Sequence, residues 1–385
     1  MNTLSLFWSF LKLGLTSFGG PVAHIGFFRQ QFVEHQAWFS ESQFAQWIAL
    51  CHMLPGPSSS QLGFLIGYQR GGWTGAMAAF IGFTFPSALI MALLAYGWFA
   101  YHQAWSSLLH GLILVAAAVV IQAVWAMGKQ FCSSWTLRLL ALCSALAFLE
   151  LPYVWTPIAL IAVLFVIGQF MPSAQTENQA MAPLRAPSKP LGYGLIALVI
   201  ALLVLLPGLV MVKPEWALID SLYRAGALVF GGGHVVLPYL HLELVQPGLV
   251  TEQAFLSGYS LAQALPGPMF TFAAYLGALN LGWQGAVIAT LAVFLAGLLL
   301  IIAILPFYQS FAHNPKLQQG LVAIQAGVVG FLLAALVNPI LPHALINWQS
   351  ALLIALNLMA LLRFKVSVLW LLPLNSATYW LITWA

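Results

Sequence analysis

Residues 54–57 read Leu-Pro-Gly-Pro, and residues 265–268 read Leu-Pro-Gly-Pro again. Each copy is preceded by a second landmark, Phe18-Gly19-Gly20-Pro21 in the first half of the chain and Phe230-Gly231-Gly232-Gly233 in the second. Each is followed by a third, Gly72-Trp73 with Gly75, and Gly282-Trp283 with Gly285. The three pairs are 212, 211 and 210 residues apart in chain order, and Lys12 and Arg224 also stand 212 apart. Two single-residue slips are what loop deletions leave behind. Self-similarity of this kind marks a duplicated architecture.

The duplicated unit is a membrane unit. Of 385 residues 62% are hydrophobic and 5% charged, with a mean hydropathy of +0.94. Soluble domains carry roughly 25% charged residues, so composition excludes a cytosolic enzyme, a nucleic-acid binder and a disordered chain. It leaves an all-α polytopic membrane protein. Long apolar runs, rather than alternating ten-residue segments, exclude a β-barrel. The pI near 9.0 reports sparse Lys and Arg that mark topology. Cys51, Cys132 and Cys143 form neither a CxxC nor a Cys/His ligand spacing, so neither a disulfide nor a metal is expected. With no haem-attachment motif or dinucleotide fingerprint, no cofactor is expected either. The first charge, Lys12, falls inside an apolar run, and no cleaved signal peptide is expected.

The Pro-, Ser- and Gln-rich stretch 172–190 reads as a cytoplasmic linker. It separates repeat 1 (1–171) from an extra connecting helix (191–211) and repeat 2 (212–385). In repeat 1, helices are expected at about 4–19, 22–34, 42–53 and 58–69, then as long apolar segments at 73–100, 104–129, 134–149 and 152–170. Repeat 2 repeats this at about 216–231, 234–245, 252–264, 269–280, 283–307, 316–337, 345–362 and 366–384. Twelve helical residues reach about 18 Å, against about 30 Å of hydrocarbon. The short segments are therefore half-helices or re-entrant hairpins. Arg70, Lys129, Arg185 and Lys189 fall on one side of alternating crossings, and so do Lys316, Arg363 and Lys365 once the extra helix is counted. Lys213 alone falls on the other side. The repeats are then inverted, with the N-terminus cytoplasmic and the C-terminus periplasmic. Inverted repeats with broken helices place a transport site near the midplane.

The FGG and LPGP breaks each end one helix and start another, exposing free N–H groups and a positive dipole end. Gly19, Gly20, Gly231 and Gly232, together with Pro55, Gly56 and Gly267, let a ligand approach the backbone, forming an anion-binding nest. Ser58, Ser59 and Gln61 add donors behind the first LPGP; Gln263 and Thr271 flank the second. His24 and His234 follow the FGG breaks and are candidates for anion or proton contacts. The repeats do not align them, and His52, just before the first LPGP, is a third of the kind. Lys12 and Arg224 are cations at matched depth and suit an anionic substrate. Snorkelling of Lys12 and a merely structural kink at each PGP remain open readings. Arg29, Glu34 and Glu41 read as an ion-pair cluster at a hairpin base.

FGGPVAHIGFF, LPGPSSSQLG, FGGGHVVLP and ALPGP, in this duplicated layout, resemble the chromate ion transporter family across nearly the whole chain. The resemblance implies an inner-membrane transporter that exports chromate and confers resistance, with sulfate, a dianion of similar shape, as competitor. It implies no enzymatic activity. Sulfate uptake and a passive anion channel stay open as alternatives. The partners expected are the anion and the lipid bilayer, not nucleic acid; a homodimer stays open.

Overall fold

The computed structural model describes residues 3–101, 106–151, 153, 155–172, 184–230, 236–308, 314–364 and 366–384. Among these residues the chain is helical and forms no strand.

Repeat 1 begins with α1 (Thr3–Thr16), α2 (Gly20–Arg29, extended by a π-helical turn Gln30–His35), α3 (Glu41–Met53) and α4 (Ser58–Tyr101). It ends with α5 (Ser106–Phe131), α6 (Trp135–Glu150) and α7 (Thr156–Gly168). The connecting helix α8 (Lys189–Val212) leads into repeat 2. There follow α9 (Ala217–Leu228), α10 (Val236–Leu240, with a π-helical turn His241–Val245), α11 (Glu252–Ala264) and α12 (Phe272–Ala303). The chain closes with α13 (Pro315–Ala335), α14 (Trp348–Arg363) and α15 (Val368–Trp384).

The matched landmarks have matched geometry. Gly72 interrupts α4 with φ 62° and ψ −150°, and Gly282 interrupts α12 with φ 61° and ψ −149°. That corner of φ/ψ space is essentially closed to residues with a Cβ. Each so-called helix is thus a half-helix and a long helix folded against each other. Gly67 lies against Gly75 and Gly277 against Gly285, where a Cβ would collide with the facing carbonyl. Ser40 caps α3 in a capping box with Gln43, and Thr251 caps α11 by accepting from Ala254 N. The hairpin-base cluster forms as expected: Arg29 pairs with Glu34 at 2.6 Å and with Glu41 at 2.5 Å. Its counterpart in repeat 2 is His241 against Glu252, at 2.7 Å.

Among the described residues, five helices are long and apolar enough to cross a membrane: Ser58–Gly97, His110–Phe131, Lys189–Val212, Met269–Phe307 and Pro315–Ala344. Segment 134–149 forms a helix of the expected 16 residues, whereas 152–170, 345–362 and 366–384 form helices of 13, 16 and 17 residues, shorter than expected; all four are shorter than full spans. Polar caps set two of the starts, Ser134 before α6 and Asn347 before α14, because each side chain satisfies an amide that would otherwise begin another turn.

The repeats are intertwined rather than side by side. α4 and α12 pack together at the centre, with α1 on α4 and α9 on α12. The last two helices of each repeat pack on the fifth helix of the other: α6 and α7 on α13, α14 and α15 on α5. α8 lies outside, almost wholly exposed to the lipid side, touching α9 and α12. Most of the linker, 173–183, lies outside the described residues. Its end is pinned by Arg185, whose backbone N–H and carbonyl both bond the Gln69 side chain, at 2.8 and 2.9 Å.

Candidate functional site

The two LPGP tips cross the molecule. Gly56 N–H donates to Val229 O at 2.7 Å, and Gly267 N–H donates to Ser17 O at 2.9 Å. Val229 and Ser17 are the residues just before the two FGG breaks, so each repeat's tip docks on the other repeat's break. Both glycines have positive φ, 126° and 93°. A Cβ at Gly56 would stand 2.8 Å from Gly297 Cα, and one at Gly267 would stand 2.7 Å from Ser87 Oγ. Gly56 and Gly267 were expected to offer these amides to an anion. They do not, because a tip amide at membrane depth without a partner is costly and the nearest carbonyl takes it.

The polar surface gathers instead behind the first tip. His24 on α2 is 1% exposed, and its Nδ1 lies 3.3 Å from Ser59 Oγ at the start of α4. Phe83 holds the imidazole edge-on, ring centroids 5.3 Å apart. Ser58, Ser59, Ser60 and Gln61 are all buried in the first turn of α4. The buried His24 Nε2, Ser17 Oγ, Ser60 Oγ, Gln61 Oε1 and Thr84 Oγ1 have no hydrogen-bond partner. Buried polar atoms are nearly always paired, so a group of orphans around one helix start indicates a place for polar cargo or water. Gly19 and Gly20, with φ 98° and 76°, turn the chain into α2 beside it. Gln61 has a structural task as well: its Nε2 donates to Pro55 O at 2.8 Å and to Gly297 O at 3.0 Å, binding tip and opposite repeat together.

The second copy is more closed. Thr271 Oγ1 donates to Pro268 O at 2.8 Å and Gln263 Nε2 reaches Met269 Sδ at 2.7 Å, so both side chains act within their own break. Gly231, Gly232 and His234 lie outside the described residues. His52 contributes its carbonyl, which accepts from Gln325 Nε2 on α13 at 2.9 Å.

Lys12 and Arg224 share a repeat position but not an environment. Lys12 is exposed on α1. Arg224 is buried and pairs with Asp220 at 2.5 Å and Glu243 at 2.7 Å. The expectation of two equivalent free cations is therefore corrected: two carboxylates neutralise the second. Glu243 went unnoticed in the sequence because its neighbours in His241-Leu242-Glu243-Leu244-Val245 give no catalytic motif. The signal that would have found it is the glutamate itself, placed in an apolar half-helix. Ser17 and Ser87 are polar residues missed for the same reason.

Similarity to known proteins follows this architecture. A family model described as chromate transporter matches residues 4–169 and 216–380, the two repeats. An uncharacterized transporter of Methanocaldococcus jannaschii is 29% identical over 373 residues, covering 94% of this chain and 90% of that protein. A chromate transport protein of Pseudomonas aeruginosa is 29% identical over 345 residues, covering 88% and 81%. One of Cupriavidus metallidurans is 25% identical over 375 residues, covering 92% and 87%. No solved structure matches the chain. With both repeats matched over nearly their whole length, the chain belongs to the chromate transporter family, whose members are transport proteins and not enzymes.

Proposed function

We propose that this protein is a secondary transporter that carries chromate out of the cell across the inner membrane. The observation that carries the reading is the buried, under-bonded polar cluster of Ser17, His24, Ser59 and Ser60 at the crossing of the two repeats. The relatives named as chromate transport proteins support chromate as cargo. In this reading Ser58, Ser59, His24 and the amides of Gly19 and Gly20 meet the oxyanion. Pro55, Gly56 and Gln61 shape that side, while Gln263, Gly267 and Thr271 shape the facing one. Lys12 draws the anion toward the repeat-1 entrance, and Arg224 acts through its carboxylate partners rather than as a direct ligand.

The inverted arrangement of the repeats gives the cycle two related end states, with the crossing as pivot. Direction follows from charge. Each elementary charge is worth about 2.3 kcal/mol per 100 mV, so a dianion leaving a negative interior gains about 4.6 kcal/mol per 100 mV. The test is chromate flux in proteoliposomes of known orientation, with potential clamped by potassium and valinomycin. Efflux from the cytoplasmic face, stimulated by an inside-negative potential and competed by sulfate, is the expected result. Net transport only toward the cytoplasmic face would establish the uptake carrier, and single-channel currents would establish a passive pore.

A further inference from the structure

Asp220, Ser221 and Arg224 on α9 meet Tyr239 and Glu243 on α10 and its π-helical extension. Arg224 Nη2 donates to Asp220 Oδ2 at 2.5 Å and to Glu243 Oε2 at 2.7 Å, and Ser221 Oγ donates to the same Glu243 oxygen at 2.9 Å. Tyr239 stands beside Glu243, one helical turn before it. The three charged residues are 3%, 6% and 5% exposed, taking Asp220, Arg224 and Glu243 in order. Asp220 Oδ1 and Arg224 Nε are buried without a hydrogen-bond partner.

One guanidinium faces two carboxylates, so a single negative charge is left over. Among the described residues the surroundings do not cancel it. Of the helices packed on α9, α8 and α12 carry no charged side chain over 191–212 or 272–303, and α13, packed on α10, carries none over 317–335. The short turn Pro214–Trp216 that also touches α9 carries Glu215, with Lys213 just before it; the two are exposed and opposite in sign. The guanidinium carbon of Arg224 lies 6.0 Å from the Trp155 ring, a weak contact. Among the other titratable neighbours, Tyr223 donates its hydroxyl to Val199 O, and His241 is engaged with Glu252. Tyr193 packs against Phe307 with the rings tilted by 45°. An uncompensated charge in a low-dielectric interior is expensive, and a proton removes it.

The repeat supplies a control. The equivalent positions in the first half are Trp8, Ser9, Lys12, Phe27 and Gln31, with no acid among them. The same scaffold is thus built there without any buried carboxylate, and scaffolding alone does not account for the cluster in repeat 2.

We propose that the Asp220–Arg224–Glu243 cluster is a proton-binding site, holding one proton between its two carboxylates at neutral pH and exchanging it during the transport cycle. The exchange step rests on the transport reading above; the bound proton does not. In the cycle the proton enters from one aqueous face and leaves at the other, and no bond other than the carboxyl O–H forms or breaks.

Two measurements decide it. Infrared spectra of the wild-type protein in lipid should show a protonated-carboxyl stretch at pH 7 that disappears on raising the pH and is altered in Glu243→Gln and Asp220→Asn. No such band in the wild type near neutral pH overturns the bound proton, with or without usable variants. In vesicles clamped at zero potential, a pH difference of one unit should shift the wild-type chromate distribution about tenfold for one proton per cycle. The ratio of flux with the gradient to flux without it should fall to about one in either variant, whatever the absolute rate. A wild-type distribution indifferent to the gradient overturns the exchange. Absence of chromate counterflow at equal pH sinks the transport reading alone, and the infrared band still decides the site.

Discussion

Gly56 and Gly267 are the residues on which the two halves of the molecule are hooked together, and their geometry separates two costs. At position 56 a side chain meets both a positive φ and Gly297 2.8 Å away; at Gly20 it meets a positive φ and open space. Strained backbone alone costs about 1–3 kcal/mol. Gly20→Ala should therefore lower thermal stability by an amount in that range, while Gly56→Val and Gly267→Val should cost more and abolish chromate flux. Thermal shift of the detergent-solubilised protein beside vesicle flux checks this, and a Gly56→Val protein transporting at the wild-type rate would refute the hooked crossing. Ser59→Ala is a gentler change. It removes a hydroxyl 3.3 Å from His24 Nδ1, and one neutral hydrogen bond is worth about 0.5–1.5 kcal/mol. Flux at limiting chromate should fall severalfold rather than vanish; unchanged flux would remove Ser59 from the site. The residue scale is also where the sequence was least legible. Lys12 and Arg224 align, yet one is exposed and one is locked between carboxylates. That difference is set by residues 4 and 19 positions away from Arg224, and the second of these reaches it only through folding.

At the scale of elements far more could be read in advance. The glycine breaks at 72 and 282, the Ser40 and Thr251 caps and the half-helix starts after LPGP all carry local signals: left-handed φ, capping oxygens, Pro at a first turn. The lengths of α7, α14 and α15 were overestimated because continuous hydropathy does not show where a helix starts or ends inside an apolar stretch. The π-helical turns at 30–35 and 241–245 had no sequence signal at all. One element contact gives a sharp test. In α4 the half-helix and the long helix touch through Gly67 and Gly75, whereas Gly97, further along the same helix, has open space. Gly75→Leu should reduce the yield of folded, monodisperse protein sharply, and Gly97→Leu should leave it near wild type. Equal yields from the two variants would show that the α4 break is not held by this packing.

At the scale of the whole molecule, the exchange of α6 and α7 for α14 and α15 between repeats decides what the protein can do. Neither repeat buries its own fifth helix, so the halves form one body whose two ends are related through the crossing. How that body sits in the bilayer is a separate question, for which the positive charges set an expectation. Arg70, Lys129 and Arg185 of repeat 1 share a side with Lys316 of repeat 2 only when the repeats run in opposite senses. Thr74 and Gln284 are equivalent in the duplication, 210 residues apart, and both are exposed just beyond the Gly72 and Gly282 breaks. They should nonetheless lie on opposite faces of the membrane. Cys51 and Cys132 are buried and Cys143 is exposed, so Cys143→Ser supplies a background quiet enough for single-cysteine labelling. In that background an impermeant maleimide applied to intact cells should label Gln284→Cys, and Thr74→Cys only after the membrane is opened. Labelling of both from the outside would make the repeats parallel. The dianion would then have no pseudo-symmetric pair of access states, and alternating access about the LPGP crossing would fall with the inverted topology.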